Sequence, residues 1–323
     1  MISFEPNQLT QRQVHGYMLG GIAPRPIALV STISEDAILN LSPFSFYNAF
    51  GSNPPIIAFS PARRGRDNTL KDTYNNLIST KECVVNAVTE FMTHQINLAS
   101  AEFEPDVNEF LKSGLTPVDS DIVKPKRVKE SPFQMECKLI QMFNTSDRPG
   151  AGNIAICEVI KFHIADEIIK DGNIHPNLIR HIGRNGADFY TKAFDDSLFS
   201  LKKPPSNPVG YDALPDYILK SRILTANNLA KLAISQTIPS KDEAKKFFDS
   251  IIITECTENT FWIHYYNNNF EQAISCLKYL ILNRFYNSLT FIELLIQLAL
   301  NNDDIEKAWL LVIYYGLMHD NQY

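Results

Sequence analysis

Short apolar runs recur along the first half of the chain, and one of them, from Ile38 to Phe50, alternates with period two, the patterns of buried and half-buried strands. They predict strands near 27–33, 38–50, 56–60, 83–88, 133–142 and 154–164. Few helical stretches come between them. One helix runs from Thr73 to about Lys81, with Asp72 as its N-cap, and an irregular helical stretch covers Glu90 to about Gly114. Gly150-Ala151-Gly152 reads as a hairpin turn. Many strands with few helices favour a barrel over a doubly wound parallel sheet, so the expected fold class is mainly β. The segment KKPPSNPVGYDALP, 202–215, reads as an extended arm. Residues 251–257 and 260–266 fit a short hairpin. Residues 270–283, 289–300 and 304–318 fit amphipathic or buried helices, with Asp303 and Glu306 in capping-box register.

The run from Ile38 to Phe50 departs from a plain core strand, because both of its faces mix aromatic with small polar groups. Phe44, Phe46 and Phe50 share a face with Asn40, Ser42 and Asn48. Such a surface suits a flat heteroaromatic ring with polar edges. Pro43 interrupts the ladder, which places the strand at an edge or a bulge. The loop before the helix holds Arg63, Arg64, Arg66 and Lys71 with the hydroxyls of Thr69 and Thr73. Unpaired N–H groups at a helix start favour an anion, so this loop has what a phosphate monoester needs. The plain alternative is a solvated basic turn that caps a surface helix.

Composition narrows the classes. With 323 residues the chain can bury a large core plus an extension, and a net charge of −6 argues against nucleic acid as a partner. The start, MISFEPNQLT, shows no secretory pattern, which points to the cytoplasm. Cys83, Cys137, Cys157, Cys256 and Cys276 are odd in number and lack a CxxC pair, so free buried thiols and no metal site are expected. No GxGxxG follows a strand, so a dedicated nicotinamide-binding Rossmann domain is absent. The run FIELLIQLAL is too short to span a bilayer, and no membrane role is expected. The seven histidines show no HExxH spacing; His163 reads as a satisfied core or rim residue.

The motifs PRPIALVST at 24–32, NLSPFSFYNAF at 40–50, PP at 54–55 and KDTYNN at 71–76 together resemble the flavin reductase-like family with the FMN-binding split barrel. The resemblance continues through NEFLKSGLTPV at 108–118, SPFQMECKL at 131–139, ICEVIKFHI at 156–164 and HIGRNGADFY at 181–190, and fades after about residue 235. It implies a split-barrel domain over 1–200, an arm over 201–240 that packs on the barrel, and a mostly helical extension over 241–323. By the same resemblance Asn40, Ser45, Phe46 and Asn48 line the ring and ribityl chain of FMN. Lys71, Asp72 and Thr73 hold its phosphate through side chain or backbone, with Arg66 and Thr32 as further contacts. Each has a structural alternative: Phe46 as core, Asn48 as turn former, Asp72 as a cap only. His181 and Tyr190 are candidates for touching the nicotinamide or the acceptor.

The implied function is an NAD(P)H-dependent flavin or ferric-complex reductase, the nicotinamide binding transiently over FMN, with no side chain required as general acid or base. The alternative is a non-enzymatic FMN electron carrier reduced by a redox protein partner. Oxidation of a pyridoxine-type phosphate fits the motifs less well. The resemblance also implies a homodimer with flavin at its two-fold interface.

Overall fold

The computed structural model describes residues 1–285 and 287–320. The chain divides into two compact units, Met1–Ser200 and Leu201–Tyr323.

The first unit is built on a seven-stranded antiparallel sheet. Its strands are β1 (Ala28–Ile33), β2 (Leu39–Phe44), β3 (Tyr47–Ser52), β4 (Pro55–Phe59), β5 (Glu82–Ala87), and two long strands. A short pair, β6 (Pro117–Val118) and β7 (Arg127–Val128), precedes those, which are β8 (Phe133–Asn144) and β9 (Asn153–Ile164). The order in the sheet is β2-β1-β5-β8-β9-β4-β3. The run 38–50, expected as one strand, is therefore two strands at opposite ends of that order. Only Ser45 and Phe46 separate them. In a flat sheet the two edges would stand about 29 Å apart, whereas this link spans about 11 Å at most. The sheet must curl until its ends meet, and the Ser45–Phe46 corner closes the barrel. Ser60 donates its N–H to the Phe46 carbonyl at 2.9 Å, which ties the corner to the end of β4. Pro43 lies in the end strand β2, opposite Leu29, where its missing N–H leaves no ladder bond unmade.

Alternation along β1 feeds two apolar cores. Ala28 and Val30 join Phe44, Phe59, Val85, Cys137 and Cys157 inside the barrel. Ile27 and Leu29 join Leu41, Met92, Ile96 and Phe110 on the outer face. Around the barrel lie α1 (Gln11–Gly21), α2 (Asp72–Thr80), α3 (Thr93–Leu98), α4 (Glu109–Ser113) and α5 (Pro176–Ile179). Strands β10 (Ile169–Lys170) and β11 (Asn173–Ile174) form one small hairpin, and β12 (Ile182–Arg184) and β13 (Tyr190–Lys192) another. Between β8 and β9 the chain turns at Gly150–Gly152, as the sequence predicts.

The second unit is helical: α6 (Asp216–Leu219), α7 (Ala226–Ala233), α8 (Lys241–Ser250), α9 (Glu258–Tyr266), α10 (Phe270–Leu282), α11 (Ser288–Asn301) and α12 (Ile305–Asp320). Leu214, Ile218, Leu224, Leu229 and Leu232, from the segment expected as an arm, share one apolar core with Phe261, Leu277, Leu295 and Trp309. Three expectations here are corrected. Residues 260–266 form a helix rather than half of a hairpin, because Thr257 and Thr260 cap its start. The cap of α12 is Asp304, whose Oδ1 accepts from the Lys307 N–H at 3.1 Å. Cys256 and Cys276 are joined in a disulfide, whereas Cys83, Cys137 and Cys157 are buried free thiols as expected. Among the described residues no helix is long and apolar enough to cross a membrane.

Candidate functional site

The nine residues singled out from the sequence fall into three groups. Thr32, Asn40 and Thr73 meet in a buried polar network under the start of α2. Glu109, in the first turn of α4, accepts from Asn40 Nδ2 at 2.9 Å and from the Leu41 N–H at 3.0 Å. This orients the Asn40 amide so that its Oδ1 accepts from Thr73 Oγ1 at 2.8 Å and from Thr32 Oγ1 at 3.1 Å. Asn76 Nδ2 completes the set by donating to Thr32 Oγ1 at 3.0 Å. Thr32 and Thr73 are 0% and 1% exposed, and both hydroxyl protons are spent on Asn40. Burial pushes the Glu109 carboxyl above the usual range and the Asp72 charge adds to this, against the lowering effect of the Leu41 and Asn40 donors.

Arg66, Lys71 and Asp72 form the second group. The arginines of the basic loop are paired, partly with carboxylates from outside it: Arg63 with Asp147 at 3.0 Å, Arg64 with Asp72 and Glu102 at 3.8 Å each, and Arg66 with Asp67 at 3.0 Å and Glu102 at 3.1 Å. Lys71 differs. Among the described residues it forms no ion pair, and its Nζ lies 5.6 Å from the centre of the Phe44 ring. It is half-buried, and burial, then the Arg64 charge, lowers its pKa. Lys71 also takes the N-cap position of α2, with extended backbone, and no side chain caps the helix. Asp72, expected as the cap, is the first helical residue, its carboxylate turned toward Arg64.

Ser45, Phe46 and Asn48 sit at the barrel-closing corner. Ser45 Oγ accepts from Arg25 Nε at 3.3 Å. Arg25 is 5% exposed and also donates to the carbonyls of Leu19, Ile22 and Asn185, so it pins the end of α1 and the loop after β12 to this corner. Burial, then the Arg184 charge, lowers its pKa. Phe46 and Asn48 wall a cleft of about 860 Å³ with Val14, Met18, Phe50, Phe59 and Ile154. Arg63 borders the same cleft, and its Nε is buried with no hydrogen-bond partner among the described residues. The volume and the mostly apolar lining suit a planar ligand of cofactor size. Tyr47 and Asn48 also border a second cavity of about 380 Å³ beside Asn86, Phe133 and His181. His181 Nδ1 lies 3.3 Å from the Val88 carbonyl, and burial lowers its pKa against the raising effect of that carbonyl, which favours the neutral ring.

A fourth polar cluster is a staple. His163 Nε2 lies 2.7 Å from Glu136 Oε1, and Glu136 also takes the N–H groups of Asp121, Ile122 and Val123. His163 is thus the satisfied residue expected from the sequence. Glu109, Asn76 and Arg25 escaped sequence reasoning. Only Arg25 left a trace, as a charged residue between two prolines at the head of an apolar strand.

The family model of the flavin reductase like domain matches residues 20–178, wholly within the first unit. An uncharacterized protein of Aquifex aeolicus (strain VF5) is 42% identical over 180 residues, 55% of this chain and 89% of the relative. Among solved structures, nitrilotriacetate monooxygenase component B from Bacillus cereus is 31% identical with a TM-score of 0.58, covering 62% of this chain and 98% of that one. The 2-nitrobenzoate 2-nitroreductase NbaA of Pseudomonas fluorescens is 25% identical with a TM-score of 0.56, covering 64% of this chain and 98% of its own. The curled antiparallel sheet is accordingly the split barrel of these proteins, and the chain belongs to the flavin reductase-like family.

Proposed function

We propose that the first unit binds FMN and is an oxidoreductase that reduces it with NAD(P)H as a transient co-substrate. The observation that carries this reading is the start of α2. An uncapped helix N-terminus is joined there by a half-buried ammonium with no carboxylate of its own, in a loop whose arginines are all paired. A phosphate supplies the missing negative charge. The unpartnered Arg63 Nε beside an apolar cleft of suitable volume supports the same fit.

In this reading Lys71, with the N–H groups of Asp72 and Thr73, holds the phosphate, and Arg66 swings in from the exposed side. Ser45, Phe46 and Asn48 bound the ring and ribityl chain, while Thr32 and Asn40 support the cradle from inside the barrel. The flavin, when bound, supplies the hydride-accepting chemistry. The protein's part is to fix one ring face at the cleft, exclude water with Phe46 and Phe50, and leave room for a nicotinamide at contact distance. Phe50, Ile140 and Phe143, exposed by 70%, 57% and 52%, offer an apolar surface that a second copy can cover, in keeping with a homodimer.

The test is titration of the protein with FMN and riboflavin, then anaerobic addition of NADH or NADPH. The expected result is preference for FMN and bleaching of the bound flavin within minutes. Lys71→Ala should weaken FMN binding by about tenfold and leave riboflavin unchanged, the size of one charge-assisted hydrogen bond. A flavin that binds but stays yellow with both nucleotides would leave an electron carrier. Equal affinity for the two flavins would remove the phosphate from this loop.

A further inference from the structure

The donor and acceptor count around Glu109 has a consequence beyond packing. Two N–H groups from β2, Asn40 Nδ2 and the Leu41 amide, need acceptors, and the two carboxylate oxygens of Glu109 satisfy one each. That choice turns the Asn40 carbonyl oxygen toward Thr73 of α2 and Thr32 of β1, where it receives both threonine hydroxyls. An amide in the opposite orientation would aim N–H groups at Thr32 Oγ1, which already accepts from Asn76. The orientation is therefore set from α4, by a carboxylate that touches no part of the cleft. Through it α2 is held against β1 and β2 by its first turn, the turn that carries Lys71 and Asp72.

We propose that Glu109 is a positioning residue: through the Asn40–Thr73 bond it fixes the start of α2 in the pose that receives the phosphate of a flavin mononucleotide. This inference rests on the phosphate reading of that helix start. It predicts a selective defect. Glu109→Gln keeps the shape but sets an amide NH2 against one of two donors. With its oxygen on the fixed Leu41 N–H, that NH2 meets Asn40 Nδ2, so the Asn40 amide turns and the Thr73 bond to its oxygen is lost. The ring-binding corner at Ser45–Phe46 has its own support from Arg25 and Ser60, which do not belong to the network.

The experiment is a reciprocal swap, read by FMN and riboflavin affinity. Glu109→Gln should lose about tenfold in FMN affinity with riboflavin held within about twofold, the scale of one buried unpaired donor. Adding Asn40→Asp restores the count: the new carboxylate accepts from Gln Nε2 and from both hydroxyls, while Gln Oε1 accepts from Leu41. The double variant should therefore regain most of the FMN preference. Parallel loss of both flavins in the single variant, or additive losses in the double, would overturn the proposal. If the single variant does not fold, the double variant alone decides, since only an intact network gives it wild-type preference for FMN. If the wild-type protein shows no preference for FMN, the phosphate reading itself has failed. Thermal melts of the two variants then report separately whether the swap repairs the network.

Discussion

Both units bury polar groups against backbone, Arg25, Ser131 and Asn153 in the first as well as residues of the second, but the first adds a cluster of another kind. In the helical unit Ser275, Lys278 and Ser288 each bond to a backbone carbonyl near a helix end or loop, and Asn228 serves the capping box of α7. In the barrel Thr32, Asn40, Thr73, Asn76 and Glu109 bond chiefly to one another across four elements. Polar groups of the first kind finish the backbone's own hydrogen bonding, which any fold requires. A network of the second kind, fully satisfied, holds its side chains in one orientation, whereas an apolar core of the same volume is often no less stable. The contrast singles out one cluster of the barrel, at the start of α2, whose side chains orient one another.

The helical unit gives the largest expected effect. Trp309 is 1% exposed, stands among Leu232, Leu277 and Leu295, and donates Nε1–H to the Leu232 carbonyl at 3.0 Å. Trp309→Ala should cost about 3–5 kcal/mol by cavity formation, measured by urea unfolding. Flavin affinity of the protein that remains folded should not change; a loss would erase the division of labour between the units. The barrel answers to pH instead. Burial pushes the Glu136 carboxyl up, but the donors from Asp121, Val123, Ile122 and His163 outweigh it and hold it at about 2. A depressed carboxyl stabilises the fold above its unfolded pKa, and that contribution fades as pH falls toward the folded one. Roughly 3 kcal/mol should therefore drain from the barrel between about pH 4.5 and 2, and Glu136→Gln should flatten this acid limb. An unaltered limb would mean that other carboxylates set the acid stability. The disulfide closes a separation of 20 residues, so Cys256→Ser with Cys276→Ser should cost about 3 kcal/mol or less in the helical unit alone. Two separate calorimetric transitions, with only one moved, would confirm that confinement, and a shift in both would deny it.

How far the sequence could be read follows the same contrast. Strands β1, β5, β8 and β9 are legible because each is an uninterrupted run rich in apolar residues; β1 and β5 are buried on both faces, and β9 buries alternate residues. The 38–50 run misled because its alternation passes through the Ser45–Phe46 corner without a glycine or a turn signal, and periodicity cannot tell a bent extended chain from a straight one. Thr32, Asn40 and Thr73 stand out in the sequence because they fall in the motifs that carry the family resemblance. The two threonines share Asn40 as partner, and the anchor of Asn40, Glu109, lies 69 residues beyond it in a helix start that looks like any solvated one. The disulfide was missed because two cysteines 20 residues apart in a helical stretch carry no spacing signature. Short-range pattern gives elements; pairings across dozens of residues appear only when the barrel closes.

The smallest expected effect is the most discriminating within the barrel. Thr32 takes part in the network twice, as donor to Asn40 Oδ1 and as acceptor from Asn76 Nδ2. Thr32→Val keeps the shape and removes both bonds. Asn40 Oδ1 retains the Thr73 hydroxyl, so the amide should stay in place, but Asn76 Nδ2 is left buried without an acceptor. An orphaned neutral donor costs about 1–2 kcal/mol, which should appear as a lower denaturant midpoint with an unchanged slope. The preference for FMN over riboflavin should survive, because the Glu109–Asn40–Thr73 path does not pass through Thr32. If Thr32→Val instead abolished that preference at the same small cost in stability, orientation would be a property of the whole network. Glu109 would then have no special place in it.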